Sequence, residues 1–135
     1  METGGYKGRT RELPKAELYR LIGEHLGVPP THIVGEYGMS ELSSQAYDHV
    51  AGRQVGPAGR FFRFPPWART VLVSPETGQP VAEGESGLIR VVDLANVHSV
   101  MAIQTEDLAV RRGDGFELVG RAPLAEPRGC SRMAR

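Results

Sequence analysis

The chain has 135 residues with sixteen basic and sixteen acidic side chains, a balance that argues against nucleic acid or an anionic membrane surface as the main partner. Its length fits a single domain or a fragment of one over residues 1–135, and no apolar run approaches the roughly 20 residues of a membrane span. A single cysteine excludes an internal disulfide, and because the N-terminus lacks a signal-peptide pattern we expect a cytoplasmic protein.

The first predicted element is an amphipathic helix from Pro14 to Gly27. Proline is favoured at the first helical position because its missing N–H has no intrahelical partner there. The glycine is placed to end the helix, and the two prolines that follow forbid its continuation. Apolar residues recur at spacings of three and four, which predicts one face packed on another element: Leu18, Leu21, Ile22 and Leu26.

The rest of the chain predicts short strands joined by turns. The clearest strands are at residues 70–73 and 87–92, which are rich in β-branched and aliphatic side chains. The best hairpin signal is the Gly-Asp-Gly of residues 113–115, which separates two apolar runs. One helix followed by a strand-rich stretch predicts an α+β fold.

Residues 34–43, Val-Gly-Glu-Tyr-Gly-Met-Ser-Glu-Leu-Ser, form the most informative run of the chain. The aromatic face of Tyr37 can stack on a purine, and Gly38 lets the backbone approach a ligand closely. The Ser40 hydroxyl can reach a phosphate oxygen. The Glu41 carboxylate suits Mg²⁺, which commonly uses one or two carboxylates together with substrate phosphates. The run therefore indicates the binding of ATP and Mg²⁺.

This run resembles the Tyr-Gly-x-Ser/Thr-Glu signature of the acyl-adenylate-forming ligases, the superfamily that includes acyl-CoA synthetases and luciferases. Residues 105–108, Thr-Glu-Asp-Leu, resemble its Thr-Gly-Asp-Leu motif, with Glu106 in place of the usual glycine. The resemblance implies that Asp107 accepts hydrogen bonds from both ribose hydroxyls. The later Gly-Arg resembles the motif whose guanidinium, here that of Arg121, also reaches the ribose. Residues 76–88 match the superfamily's structural connector between these motifs.

Finer detail resembles the bacterial acyl-protein synthetases, the fatty-acid ligases of bioluminescence. Residues 4–8 resemble their Gly-Gly-aromatic-Lys loop, and residues 93–96 and 128–131 fit the same family. In that family a cysteine near the C-terminus takes the acyl group from the adenylate as a thioester, and by motif position this is Cys130. The resemblance thus implies three catalytic residues, Ser40, Glu41 and Cys130, of which Glu41 is also the metal ligand. The nucleotide-binding residues that it implies are Gly4, Gly5, Glu36, Tyr37, Gly38, Asp107 and Arg121.

The resemblance implies the C-terminal part of an adenylate-forming core: the end of an α/β layer followed by a small, distorted β-barrel-like subdomain. The implied activity is the ATP-dependent activation of a long-chain fatty acid as an acyl-adenylate and its transfer to a protein thiol. The implied partners are a fatty acid or other carboxylic acid as substrate and an acyl-CoA reductase or acyltransferase.

Three departures from the family pattern leave alternatives open. The superfamily's Ser/Thr/Gly-rich phosphate loop and its large N-terminal portion have no match here, and Pro123 stands at the hinge position. Whether the chain acts as an enzyme by itself is therefore an open question. A carboxylate–CoA ligase of the phenylacetate–CoA ligase type shares the tyrosine signature. A truncated, non-catalytic binding module would keep the same adenosine-side residues, and Tyr37 could simply be a core aromatic.

Overall fold

The structure, a computed structural model, describes residues 1–4, 13–56 and 59–122. In chain order it contains strand β1 and helix α1, a 3₁₀ turn, and six further strands β2 to β7. Their bounds are β1 Glu2–Thr3, α1 Lys15–Leu26, the 3₁₀ turn Pro30–His32, β2 Gly35–Tyr37, β3 Ala46–Tyr47, β4 Ala68–Val73, β5 Ser86–Asp93, β6 Ala102–Arg112 and β7 Gly115–Arg121. No helix in this described part is long and apolar enough to cross a membrane.

Helix α1 confirms the predicted helix, shifted by one residue at its start. Pro14 has extended ψ (141°) and stands just before the helix, where its carbonyl accepts the first helical hydrogen bonds. Gly27 ends the helix in the left-handed region at φ 66°, and its N–H donates to the Gly23 carbonyl at 3.1 Å. The apolar face is less covered than the pattern predicts: Tyr19 is the buried residue of this helix, whereas Leu26 is 71% exposed.

A small three-stranded sheet has the order β1-β2-β3. Strand β1 pairs in parallel with β2, with Glu2 opposite Gly35, and helix α1 lies between them in the chain. Parallel neighbours need such a crossover connection, and a helix is its usual form. Strand β3 returns antiparallel to β2, with Tyr37 opposite Ala46.

A four-stranded antiparallel sheet with the order β4-β5-β6-β7 forms the larger part of the fold. It contains both predicted strands and the predicted hairpin, in which Arg112 pairs with Gly115 across a two-residue turn. Strand β6 is longer than the pattern indicated. Its pairing with β7 shifts register between Leu108 and Ala109, one residue beyond Asp107.

The core lies where the two sheets meet. Phe62 forms a bridge with Phe116 of β7, with N–H to carbonyl distances of 2.8 and 3.0 Å, and the adjacent Arg63 bridges Tyr47 of β3. The segment around Phe62 therefore connects the sheets. The buried cluster contains side chains from both: Tyr37, Leu42, Ala46, Phe62, Leu72, Val81, Ile89, Val91, Ala109 and Phe116. These observations confirm the predicted α+β class.

Candidate functional site

Three residues predicted for the nucleotide site meet at one carboxylate. The Tyr37 hydroxyl, at the end of β2, donates to Oδ2 of Asp107 at 2.9 Å, across 70 residues of sequence. Asp107 pairs with Arg121 across β6 and β7, and the Arg121 Nε lies 3.4 Å from Asp107 Oδ1. The junction of the two sheets thus brings the tyrosine motif, the aspartate motif and the Gly-Arg motif together.

The Tyr37 ring is part of the core. Only 6% of the residue is exposed, and its ring lies edge-on to Phe116 at 5.3 Å and to Phe64 at 6.2 Å between centroids. Burial, followed by the negative charge of Asp107, holds the pKa of Tyr37 well above its ordinary value. In this arrangement the ring packs among core aromatic side chains, while its hydroxyl contacts Asp107. The nucleotide-binding role of Tyr37, including the stacking of a purine on its ring, stays a prediction.

Ser40 and Glu41 occupy an exposed turn shortly after β2. The Ser40 hydroxyl lies 3.1 Å from Glu41 Oε2, and the Leu42 N–H closes the turn on the Met39 carbonyl at 3.1 Å. No group of three or more His, Cys, Asp or Glu side chains that could hold a metal occurs among the described residues. Mg²⁺ does not require such a group, because one carboxylate and substrate phosphates suffice. The exposed Glu41 carboxylate fits that type of binding.

The three remaining described candidates lie in or beside the small sheet. Glu36, on β2, accepts a hydrogen bond from the Thr3 hydroxyl of β1. A Cβ at Gly38 would lie against the Glu36 carboxylate, the end of a flexible side chain that would have to move aside. Gly4 follows β1 in the left-handed region at φ 80°. Gly5 and Cys130 lie outside the described residues, and their roles stay predictions.

A buried polar network holds the segment that follows the turn. Asp93, fully buried at the end of β5, accepts hydrogen bonds from the backbone N–H groups of Ser43 (3.0 Å) and Ser44 (2.9 Å). Asn96 donates from Nδ2 to the Glu41 carbonyl at 2.8 Å. In the sequence, residues 93–96 indicate only a family resemblance. Nothing in their pattern shows that they contact the turn 50 residues earlier.

A second buried network lies at the start of β2. Asp48 accepts from the Gly35 N–H at 2.7 Å and from Arg60 Nε at 3.0 Å, and His49 Nδ1 lies 2.9 Å from it. Burial alone raises the pKa of Asp48, but the hydrogen bonds from His49, Gly35 and Arg60 outweigh it and hold the pKa below its ordinary value. The sequence predicts no role for this histidine, because the four histidines show neither metal-type spacing nor partner cysteines. We assign it a structural one.

An open, aromatic cleft of about 560 Å³ lies beside the turn segment. Its wall includes Tyr47 and Trp67, which are 43% and 53% exposed. The Trp67 indole N–H donates to the Ser44 hydroxyl at 3.0 Å. The cleft and the turn segment are thus directly connected.

No protein-family model and no curated protein sequence matches the chain. Solved structures do match it. Apo MatB from Rhodopseudomonas palustris superposes with a TM-score of 0.59 at 17% identity, over 90% of this chain and 25% of that chain. The luciferase-like enzyme from the nonluminescent mealworm Zophobas morio gives 0.56 at 18% identity, over 84% and 30%. A structure of fatty acyl-adenylate ligases from E. coli and L. pneumophila gives 0.57 at 16% identity, over 81% and 27%.

These likenesses show the fold. The chain has the mixed α+β architecture of the C-terminal part of adenylate-forming enzymes, as predicted from its motifs. It spans between about a quarter and a third of the length of these solved structures.

Proposed function

We propose that the chain takes part in the ATP-dependent activation of a carboxylic acid as an acyl-adenylate. The observation that carries the proposal is the convergence of Tyr37 and Arg121 on Asp107, three residues predicted from separate motifs. The shared fold supports it, because neighbours with that fold include an anthranilate CoA ligase in complex with anthranoyl-AMP and an ATP-bound chimera.

The chemistry of this cluster suits a ribose. Asp107 is an ionisable acceptor whose side chain is 19% exposed, so part of it can be reached from solvent. A carboxylate that accepts from two sugar hydroxyls forms charge-assisted hydrogen bonds, which are stronger than neutral ones. The Tyr37 hydroxyl and the Arg121 guanidinium fix the orientation of that carboxylate from two sides.

The exposed Ser40–Glu41 turn would act at the phosphates. Mg²⁺ bound there would neutralise charge on the phosphates while the substrate carboxylate attacks the α-phosphorus and pyrophosphate leaves. The part of this chain is to hold the metal through the Glu41 carboxylate and a phosphate oxygen through the Ser40 hydroxyl. The product, an acyl-adenylate, carries AMP as a good leaving group.

We further propose that the acid is a long-chain fatty acid and that the acceptor is the thiol of Cys130. A thiolate attacks the adenylate carbonyl, the C–S bond forms, and AMP leaves with the electrons of the C–O bond. Arg128 and Arg132 flank the cysteine in sequence and favour its thiolate form. The nine-residue span from Arg121 reaches roughly 30 Å when extended, at ~3.3 Å per residue. An acyl-CoA reductase or acyltransferase would then consume the thioester.

Acid-dependent exchange of pyrophosphate into ATP tests the activation step. The assay uses the 135-residue chain alone and a ligase completed with the N-terminal portion of a homologous acyl-protein synthetase. Asp107→Asn should reduce exchange at least tenfold, because the ribose loses a charged acceptor. Asp114→Asn is the matched control, since that side chain lies on the exposed hairpin turn. Equal loss in both variants would contradict the site assignment, and ATP binding without exchange by the completed ligase would favour a non-catalytic module.

Labelled fatty acid and ATP test the acceptor. The completed ligase should acquire protein-bound label that neutral hydroxylamine releases, as it does from a thioester, and Cys130→Ser should form the adenylate but carry no label. Label retained in the Ser variant would contradict the role of Cys130. Transfer only after the addition of coenzyme A would favour a CoA ligase.

A further inference from the structure

We propose that Asp93 and Asn96 are positioning residues that hold the Ser40–Glu41 turn for binding Mg²⁺ and phosphate. The inference rests on the proposed function, because the binding of Mg²⁺ and phosphate at this turn is part of that proposal. Neither residue reaches the reacting atoms in this proposal. Both act through the backbone of the segment that carries Glu41.

The contacts of Asp93 are those of a backbone clamp. One carboxylate oxygen, Oδ2, accepts the successive N–H groups of Ser43 and Ser44 at 3.0 and 2.9 Å. The other, Oδ1, accepts the Ser44 hydroxyl at 2.9 Å and the Ala95 N–H at 3.0 Å. The residue is fully buried, and a buried carboxylate is costly unless it is hydrogen-bonded in this way. Its position at the end of β5 ties the turn segment to the larger sheet.

Asn96 reaches the turn itself. Its Nδ2 donates to the Glu41 carbonyl and to the Val100 carbonyl, both at 2.8 Å, and its Oδ1 lies 3.0 Å from the Ser43 hydroxyl. The residue is 8% exposed. The backbone is therefore held at the Glu41 carbonyl and at the N–H groups of Ser43 and Ser44, while the Glu41 side chain remains exposed to solvent. A fixed backbone beneath an exposed carboxylate is what a preorganised metal ligand requires.

The chain carries its own reporter of this network. Trp67 is its single tryptophan, and its indole N–H donates to the Ser44 hydroxyl, which in turn donates to Asp93. Loss of the clamp should therefore change the fluorescence of Trp67, whether or not any reaction takes place.

The experiment compares Asp93→Asn and Asn96→Asp with wild type. The first variant places an NH₂ group where an oxygen accepts two donors; the second removes the donor to the Glu41 carbonyl and keeps the side-chain size. In the 135-residue chain, the Ser43 and Ser44 amides should exchange hydrogen at least tenfold faster in Asp93→Asn, and Trp67 emission should shift. In the completed ligase, both variants should raise the Mg²⁺ concentration for half-maximal pyrophosphate exchange by about tenfold.

Asp48→Asn is the matched control, because it disrupts a buried carboxylate network that does not contact the turn. It should lower the thermal midpoint without changing the Mg²⁺ requirement. If wild type is active and both Asp93→Asn and Asn96→Asp lose only thermal stability, the positioning role is wrong and the proposed function stands. If wild type in the completed ligase shows neither exchange nor Mg·ATP binding, the proposed function fails and this inference fails with it.

Discussion

A buried tyrosine hydroxyl beside a carboxylate is hard to ionise. Burial first, and then the charge of a neighbouring carboxylate, raise the pKa of Tyr37 and of Tyr19 above the ordinary value near 10. The unfolded chain therefore loses these protons as pH rises through about 10, while the folded chain keeps them. Stability that is fully present below pH 10 is lost above it.

Each such tyrosine should contribute a slope of about −1.4 kcal/mol per pH unit to the unfolding free energy above that point. Tyr37→Phe should remove one contribution and flatten the alkaline limb. Urea unfolding at a series of pH values on wild type and variant measures the difference. Parallel alkaline limbs would contradict the environment described for Tyr37.

In the proposed function, Glu41 binds the metal and contributes less to the binding of the nucleotide. Glu41→Gln removes the charge that Mg²⁺ prefers and keeps the side-chain shape. In the completed ligase we expect pyrophosphate exchange to fall at least tenfold, with a smaller loss of AMP affinity measured by calorimetry. Glu117→Gln, on the exposed side of β7, is the matched control. Equal losses of exchange and AMP affinity would indicate that Glu41 is structural.

Among the elements, the pairing of β4 with β5 depends on a glycine. A Cβ at Gly87 would lie 2.8 Å from the Val73 carbonyl oxygen and 3.0 Å from its carbon and nitrogen, all backbone atoms of the neighbouring strand. Gly87→Ala should therefore lower the unfolding free energy by about 1–3 kcal/mol through overpacking. Denaturant unfolding measures it.

Gly23→Ala gives the matched comparison within helix α1. Apart from the backbone of its own helix, the nearest atom to its Cβ would be the Val28 carbonyl oxygen at 3.6 Å, and alanine is the better helix former. We expect this variant to gain about 0.5–1 kcal/mol. A loss of stability from Gly87→Ala no larger than ~0.5 kcal/mol, the size typical of surface substitutions, would contradict this expectation. It would show that β4 can move away from the added methyl group at little cost.

What the sequence could predict about the elements depended on local interactions. The limits of helix α1 were predictable because Pro14 and Gly27 determine the backbone conformation at their own positions. The hairpin was predictable because its turn requires the positive φ of 57° that Gly113 adopts. The register shift after Leu108 was not predictable, because it depends on pairing with another strand. The burial of the Tyr37 ring depends likewise on Phe64 and Phe116, which are far from it in sequence.

The site shows the same division at the scale of the whole molecule. The motifs predicted that Tyr37, Asp107 and Arg121 belong to one site, since each motif has its own residue signature. They did not predict that Asp93 and Asn96 contact the segment of the Ser40–Glu41 turn. Their contacts join residues about 50 positions apart, and only the packing of the two sheets brings them together.

The described residues supply the cluster that we propose for the adenosine side of the site, while the sequence contains no match to the phosphate loop of the resembled superfamily. The chain also corresponds to 25% of the length of apo MatB. We therefore expect the 135-residue chain alone to bind ATP or AMP only weakly. The few hydrogen bonds offered by Asp107 and Arg121 must offset the entropy lost on association without the contacts that a phosphate loop adds.

Calorimetry with ATP, with and without Mg²⁺, on the chain and on the completed ligase measures this difference. The completed ligase should bind at least a hundredfold more tightly, and Asp107→Asn should weaken binding in both proteins, because the adenosine-side contacts are common to them. Tight, Mg²⁺-dependent binding of ATP by the chain alone would show that a separate phosphate loop is not needed. The residues that hold the phosphates would then have to lie within these 135 positions, where the Ser40–Glu41 turn is the first place to test by substitution.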